Sequence, residues 1–306
     1  MKRVIKVASP FIIALFTVSA VFAGETGHYT NGVEGIKGAT LPGPGFYYKM
    51  YNVMYKTDRM MDDKGKKSET LKPDITVIAN VHRFIFGTGI KFLGADVLAD
   101  VTVPLIYTDF KMEVVPMSMV MEDDQFAIGD IAFEPVVLSW HGGRYDFAAG
   151  AAFYAPTGKY DEEKQASPGK DMWTMMLTAG GTLYLDSEKE WNASILARYE
   201  KHTEKEEKKI RPGDEFHFEW GAGKTFMKII DAGLAGYCHW QLTDDSGDGT
   251  AGYDKSVHDR IFAAGPELGV FIPPAMLAIN IRGLWEFGAV DRTEGFTGTL
   301  VLTKIF

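Results

Sequence analysis

Cysteine is almost absent from this chain of 306 residues, since Cys238 is the single one. One cysteine excludes an intramolecular disulfide, so an exported fold of this size must be held together by other means, such as closure of a sheet. Cys238 lies among residues of a predicted strand, where a lone cysteine is typical of packing rather than of a nucleophile.

Long apolar runs are also missing after residue 23. Although 46% of the residues are hydrophobic, no later stretch approaches the roughly 18 apolar residues of a transmembrane helix, which excludes a helical membrane protein. Positive charge is scarce too, and a net charge of −9 argues against a nucleic-acid partner. The 33 glycines and the aromatic share of 13% favour β-structure with many turns.

The first 23 residues have the three parts of a secretory signal. Lys2, Arg3 and Lys6 precede a mostly apolar run that ends at Phe22, and Ala23 supplies a small side chain for cleavage. The run of about 16 residues is shorter than the roughly 20 that a spanning helix needs. We therefore predict a signal peptide over residues 1–23, an N-terminal segment over residues 24–44 and one barrel domain over residues 45–306.

Alternation of apolar and polar residues recurs along the whole predicted mature chain and indicates strands. We predict twelve of them: 45–56, 74–86, 91–109, 125–140, 144–155, 171–185, 190–202, 214–226, 231–242, 257–272, 275–287 and 294–306. Because Pro135 cannot donate to a strand ladder, we expect a bulge in the fourth strand.

Short and long connections alternate between these strands. The short ones are 87–89, 141–143, 186–189, 227–230 and 273–274, whereas the long polar ones are 57–73, 110–124, 156–170, 203–213 and 243–256, followed by a brief 288–293. This sorting, with an even strand count and both termini on the short side, is typical of outer-membrane barrels. The predicted fold class is all-β: a membrane-spanning antiparallel up-and-down barrel of about 12 strands in the cell outer membrane.

The alternation also separates two faces of the wall. In the seventh predicted strand, Trp191, Ile195 and Tyr199 share one face, whereas Asn192 and Arg198 share the other. A membrane barrel directs the apolar face to lipid and the polar face to the lumen. Arg83, Lys224 and Lys304 are predicted to lie on the lipid-facing side near the short turns, where their charges reach the headgroups.

Several motifs resemble one family of bacterial outer-membrane proteins, named for the meta-cleavage pathway of phenol degradation. They are residues 41–47 (LPGPGFY), 128–131 (IGDI) with Pro135 and Trp140, 154–160 (YAPTGKY) with Trp173, 265–267 (GPE) and 303–306 (TKIF). The resemblance implies a barrel that admits hydrophobic, often aromatic, compounds, and it implies no catalytic residues. The terminal Phe306 resembles the C-terminal signal of such barrels, which implies assembly by the barrel-assembly machinery.

No motif predicts catalysis, a cofactor or a metal site. Residues 244–249 (DDSGDG) have the oxygen spacing of a calcium loop, but Lys255 stands where a bidentate glutamate is needed. An outer-membrane hydrolase would need a serine and a histidine on the lipid-facing wall near the long loops, whereas His217 and His239 are predicted to point inward. The sequence shows no GxSxG elbow and no HExxH helix.

The candidate site is therefore the polar inner wall. Its predicted ligand or lumen-lining residues are Asp130, Glu134, Arg198, Glu200, His217, Glu219, Tyr237, His239, Arg282 and Glu286. If the loop at 203–213 closes symmetrically, Arg198 lies opposite Glu219, Glu200 lies opposite His217, and His239 comes beside Glu219. These charges either neutralise one another and brace the wall or set selectivity and hold a plug. Residues 24–44 are either that plug or a periplasmic lead.

The predicted function is passive uptake of small hydrophobic or aromatic compounds through the barrel. The expected partners are the solute, outer-membrane lipid and lipopolysaccharide, and the barrel-assembly machinery through the Phe306 strand, without nucleic acid. Two alternatives stay open. An outer-membrane lipid-directed hydrolase requires a serine and histidine pair on the outer wall, and a structural or adhesive barrel without a pore requires an interior filled with side chains.

Overall fold

The computed structural model describes residues 27–250 and 254–306, so the predicted signal peptide, residues 1–23, lies outside the described residues. The described chain is almost entirely β-structure. Its strands are β1 (Gly45–Thr57), β2 (Leu71–Phe92), β3 (Ala95–Val114), β4 (Met119–Ile128), β5 (Ile131–His141), β6 (Tyr145–Ala155), β7 (Thr174–Tyr184), β8 (Trp191–His202), β9 (Glu215–Phe226), β10 (Ile230–Gln241), β11 (Arg260–Ile272), β12 (Leu277–Val290) and β13 (Phe296–Ile305). Three short 3₁₀ turns, Val115–Met117, Asp248–Thr250 and Pro273–Ala275, interrupt the connections.

The strands form one antiparallel sheet that closes on itself. Apart from β4 and β5, neighbours in sequence pair with one another, and β1 pairs with β13 over ten positions, from Tyr47 with Ile305 to Lys56 with Phe296. Closure leaves no free edge along this seam, which satisfies the backbone groups that lipid cannot. None of the described helical turns is long and apolar enough to span a membrane.

The wall is twelve strands in circumference, although the described residues include thirteen strands. Both β4 and β5 pair with β3: β4 along the half that contains Leu105, and β5 along the half that contains Leu98. Together they form the predicted fourth strand, broken between Ile128 and Ile131, and this break was not predicted. The predicted bulge at Pro135 is confirmed, because the β5–β6 register shifts between Phe133 and Val136.

One predicted loop is wrong. Residues 110–124 are mostly strand, because β3 continues to Val114 and pairs with β4 from Met119 onward around a tight turn. Apolar side chains explain this extension, since Phe110, Met112 and Val114 are buried together against neighbours such as Leu71. The first short turn is likewise displaced from 87–89 to the end of β2, where Leu93 and Gly94 take left-handed conformations.

The outer surface of the barrel is apolar, as the alternation predicts. Large hydrophobic side chains project outward from the strands around the ring, including Phe84, Val101, Val136, Phe147, Leu183, Trp191, Ile195, Leu234, Leu268, Ile281, Trp285 and Phe287. The positions between them are buried and often charged. An apolar outside and a polar inside are expected of a membrane barrel and opposite to a soluble protein.

The N-terminal segment, from Gly27 to residue 44, lies inside the ring of strands. Near β1, Thr40 contacts Asp146 and Tyr184 at the short-turn end of the wall. Earlier residues contact progressively more distant levels, until Gly27 donates to Glu215 near the long-loop ends of β8 and β9. The segment therefore runs along the inner wall from the short turns to the long loops.

Candidate channel interior

Carboxylates of the inner wall hold the backbone of the N-terminal segment. Glu200 accepts from the N–H groups of His28 at 2.9 Å and Tyr29 at 3.3 Å. Glu219 accepts from the N–H of Glu34 at 2.9 Å and from the Tyr29 hydroxyl at 2.6 Å. Toward the short turns, Glu267 accepts in the same way from the N–H of Ile36 at 2.9 Å, and at the long-loop end Glu215 accepts from the N–H of Gly27. These bonds satisfy a backbone that has no strand partner of its own.

Cations complete the attachment of the segment. Arg282 is paired with Glu267 at 2.9 Å and also donates to the carbonyl of Gly32. The guanidinium of Arg198 is paired with Glu219 and lies over the ring of Tyr29, 3.9 Å from its centroid. Each of these buried charges thus has a partner of opposite sign, as burial requires.

The segment also contributes a charge of its own to the wall. Glu34 accepts from the ammonium of Lys49 at 2.7 Å and from the hydroxyl of Tyr51 at 2.7 Å. Arg83 stands 3.7 Å from Glu34 and pairs with Asp100 at 2.6 Å and Glu134 at 2.9 Å. The prediction that Arg83 faces lipid is therefore wrong, because Phe84 and Phe86 occupy the outward positions of β2.

Asp130 joins the break in the wall to both the long loop and the segment. Its carboxylate accepts from the N–H groups of Gly158 and Lys170, each at 2.8 Å, and from His28 Nε2 at 2.9 Å. Gly158 packs directly on the break, since a Cβ there would stand 2.6 Å from the carbonyl carbon of Gly129. The loop between β6 and β7 thereby folds into the gap between β4 and β5.

Away from these contacts the interior is hollow. A cavity of about 500 Å³ lies between the segment and the opposite wall. Its apolar lining comes mainly from β1, β2, β3, β5 and β6, and it comprises Tyr51, Val53, Val77, Ala79, Val81, Ile106, Ala132, Val137, Ala148 and Ala152. The interior is therefore divided into a polar half that holds the segment and an open half, called here the apolar half, whose lining is apolar apart from paired charges such as Arg83 with Asp100 and Glu134.

An apolar cluster lies at the short-turn end of this cavity. Leu41 of the segment packs there against Ile85, Leu98 and Val137, with Tyr47 beside them. At the other end the lining includes Thr108, Thr293 and residues of the loop between β6 and β7. The cavity thus extends from the level of the long loops down to Leu41.

A family model matches residues 57–302 of this chain, and its description reads "Putative MetA-pathway of phenol degradation". The chain belongs to this family. The match confirms the predicted family, and its range includes the motifs at 128–131 and 154–160, which lie at the break in the wall and in the loop that packs on it.

Two solved structures are similar to this chain to different degrees. An outer membrane channel from Pseudomonas putida F1 has a TM-score of 0.75 and 12% sequence identity, with 92% of this chain and 100% of that chain covered. The β domain of the Bordetella autotransporter BrkA has a TM-score of 0.49 and 8% identity, with 87% and 100% covered. No curated protein matches the chain. The first likeness confirms the predicted fold class.

The ten predicted site residues of this family member all face inward, but not all of them line the cavity. Six of them line the cavity, namely Asp130, Glu134, Arg198, Tyr237, His239 and Glu286. The other four are Glu200, His217, Glu219 and Arg282. Tyr237 donates to Glu286, and His239 Nε2 lies 3.2 Å from Asp259.

The predicted pairing of β8 with β9 is wrong by two residues. Arg198 lies opposite His217, and Glu200 opposite Glu215, because β9 starts at Glu215 after a loop that does not close symmetrically. Likewise His239 lies opposite His217 rather than beside Glu219. The predicted partners still meet diagonally, since Arg198 reaches Glu219 and His217 reaches Glu200 at 2.9 Å.

Several residues that hold the segment were missed from the sequence. Glu215 shares the inward phase of β9 with the predicted His217 and Glu219, and Glu267 alternates on β11 with the outward Leu268, so strict alternation identifies both as wall carboxylates. Gly35 and Gly221 carry no such signal. A Cβ on Gly221 would stand 2.7 Å from the backbone of Gly35, so the inner wall and the segment touch backbone to backbone there.

Proposed function

We propose that this protein is an outer-membrane channel through which small apolar solutes, including aromatic ones, diffuse passively along the apolar half of the lumen. The division of the interior carries the proposal. Many charged groups of the wall are occupied by their bonds to the N-terminal segment or to one another, so the remaining space offers a solute the apolar surface of Val, Ala, Ile and Tyr side chains beside paired charges such as Arg83 and Glu134. A concave apolar surface with polar groups at its border is typical of sites for small apolar ligands.

The N-terminal segment acts as a plug in this proposal. Solutes enter past the long loops, follow the cavity and meet Leu41, whose apolar cluster forms the inner constriction. Removing residues 27–44 is expected to turn this narrow apolar passage into a wide polar pore, because the wall carboxylates then face water. Single-channel conductance of the purified protein should rise strongly on deletion, and equal conductance of both forms would contradict the role of the segment.

The passage itself is tested by filling the apolar half. Ala132 is buried and lines the cavity, whereas Ala222 is exposed on the lipid side of β9. Ala132→Trp should abolish the protein-dependent uptake of radiolabelled toluene by Gram-negative cells that display the protein, since the indole occupies the cavity. Ala222→Trp is the matched control and should leave uptake unchanged. Uptake that survives a folded Ala132→Trp variant, or uptake of sucrose equal to that of toluene, would contradict the proposal.

One observation favours the hydrolase alternative. Ser139 Oγ lies 3.1 Å from His141 Nε2, and His141 Nδ1 lies 3.2 Å from Asp146, which is the order of groups in serine hydrolases. However, Ser139 is fully buried, and the array lies at the short-turn end of the wall. A lipid-directed enzyme needs its serine on the lipid-facing side near the long loops, so Asp146 here serves to fix Thr40 and Tyr184 instead.

A purely structural or adhesive barrel fits less well, because such a barrel needs no cavity of about 500 Å³. The proposed partners follow from the surface. The exposed apolar ring contacts outer-membrane lipid and lipopolysaccharide. Phe306, 70% exposed at the seam between β1 and β13, is the residue that we assign to recognition by the barrel-assembly machinery.

A further inference from the structure

We propose that His28, Glu200 and His202 form a binding site for a transition-metal ion, with Zn²⁺ as the representative, which links the N-terminal segment to the wall. This inference goes beyond solute passage and does not depend on it. His28 belongs to the segment, whereas Glu200 and His202 follow one another on the inner face of β8. Two imidazoles and one carboxylate are a ligand set that Zn²⁺ takes in proteins, with further positions left open.

The geometry brings these three residues together. One ligand atom from each lies within 4.8 Å of the others. All three side chains are almost completely withdrawn from solvent. Glu200 already accepts the backbone N–H of His28 at 2.9 Å, so the segment is held in register with the two wall ligands.

Hydrogen bonding leaves a free lone pair in this cluster. Asp130 only accepts, so His28 Nε2 carries a proton and, in a neutral ring, Nδ1 accepts from the Thr174 hydroxyl at 2.7 Å. Thr174 has one proton, so His202 Nδ1, also 2.7 Å from it, must be a donor. His202 Nε2 is then an unprotonated acceptor, and it is buried without a partner. A buried bare nitrogen requires an explanation, and a metal ion supplies one.

The second shell matches that of metal sites. Metal-bound histidines usually donate their other ring N–H to a carboxylate, which fixes the tautomer, and Asp130 stands in that position for His28. Negative charge also accumulates here, because Glu200 lies directly opposite Glu215 on β9 and both are buried. Lys170 adds one positive charge nearby. A divalent cation would reduce the repulsion that the two glutamates exert on each other.

Occupancy would bind the segment more firmly to the wall. The ion would join His28 to β8 near the long-loop end, far along the chain from the point where the segment continues into β1. Metal binding that requires two parts of a structure stabilises their association. The ion would therefore restrict local release of residues 27–44 without changing the barrel.

Calorimetry on the chelator-stripped, detergent-purified protein tests the site with Zn²⁺ alone. We expect one ion per chain, at least tenfold weaker binding in His28→Ala and in His202→Ala, and unchanged binding in His82→Ala. His82 lies on β2 and pairs with the Tyr48 hydroxyl, so it is a matched control. His28 lies outside the barrel wall, and its substitution therefore keeps the barrel folded if His202→Ala does not fold.

Hydrogen exchange gives an independent readout. Zn²⁺ should slow exchange of the peptides within residues 27–44 in the wild type and should have no effect in His28→Ala. The inference is overturned if the stripped wild type binds no Zn²⁺, or if both histidine variants bind it as well as the wild type. Neither result depends on toluene uptake, so the site and the channel fail or stand separately.

Discussion

Replacing Glu219 by glutamine is the most direct perturbation of the bond between the segment and the wall. The carboxylate accepts from the Tyr29 hydroxyl at 2.6 Å and from the Glu34 N–H at 2.9 Å. Glutamine preserves the size and removes the charge, and its single carbonyl oxygen replaces two equivalent acceptors. The pair between Glu219 and Arg198 lies within the wall, so it exists whether or not the segment is docked.

The expected magnitude follows from these two bonds. A hydrogen bond to a charged group contributes about 1.5–3 kcal/mol, against about 0.5–1.5 kcal/mol for a neutral one. Weakening both bonds therefore reduces docking of the segment by about 2–3 kcal/mol. Because each 1.4 kcal/mol is a factor of ten, the released population should rise roughly 30- to 100-fold.

Hydrogen exchange of residues 27–44, measured against strand peptides of the same sample, reports this population. Glu190→Gln is the matched control, because Glu190 is 41% exposed and forms only a surface pair with Lys224 at 3.4 Å. Such surface pairs contribute about 0–1 kcal/mol. If Glu219→Gln changes exchange of the segment by less than threefold while the barrel remains folded, the wall carboxylates do not hold it.

Two further predictions concern the ends of the barrel. Burial and the charges of Asp259 and Asp63 raise the pKa of Asp291 to about 6. Because ionisation of Asp291 is then less favourable in the folded loop than in the unfolded one, the loop loses stability as pH rises from about 4 through 6. Asp291→Asn should remove this dependence, as measured by exchange of the 291–295 loop between pH 4 and 8, and a slope that persists would assign it to another group. Phe306→Ala should lower the amount of protein in the outer membrane several-fold, as measured on an immunoblot. Phe287→Ala alters an equally apolar outward position and should not lower it. Equal levels of the two variants would contradict the role of Phe306 in assembly.

The wall of the barrel was predictable because one rule governs each of its residues. In a strand the side chain points to alternate faces, so Trp191 and Arg198 reveal their environments from their types alone. Arg83 was misplaced because Val81 and Ile85, which share its face of β2, are apolar and make that face look lipid-facing, although it is the inner one. The extension of β3 and β4 was missed because Asp123 and Asp124 look like loop residues, although Met112 and Val114 are buried on β3 and pair with Met121 and Met119 of β4.

The docking of the segment was not predictable in the same way. Residues 27–44 have no period, so nothing local specifies which wall groups their backbone N–H groups will meet. The contact between Gly35 and Gly221 depends on two positions 186 residues apart, and glycine is common elsewhere in the chain for ordinary turns. The break at Gly129 arises from its packing against Gly158, which is again a property of two distant loops.

The distribution of charge therefore has a consequence for selectivity. The buried carboxylates do not act as a filter for ions, because Glu200, Glu219 and Glu267 each accept a backbone N–H of the segment. While they are so engaged, a solute in the cavity meets apolar side chains and charges that already have partners, such as Arg83 with Glu134. Release of the segment would expose the same carboxylates and admit polar solutes. In the proposed function, the segment restricts the channel to apolar solutes by occupying the polar wall, and variants that loosen it should lose selectivity before they lose flux.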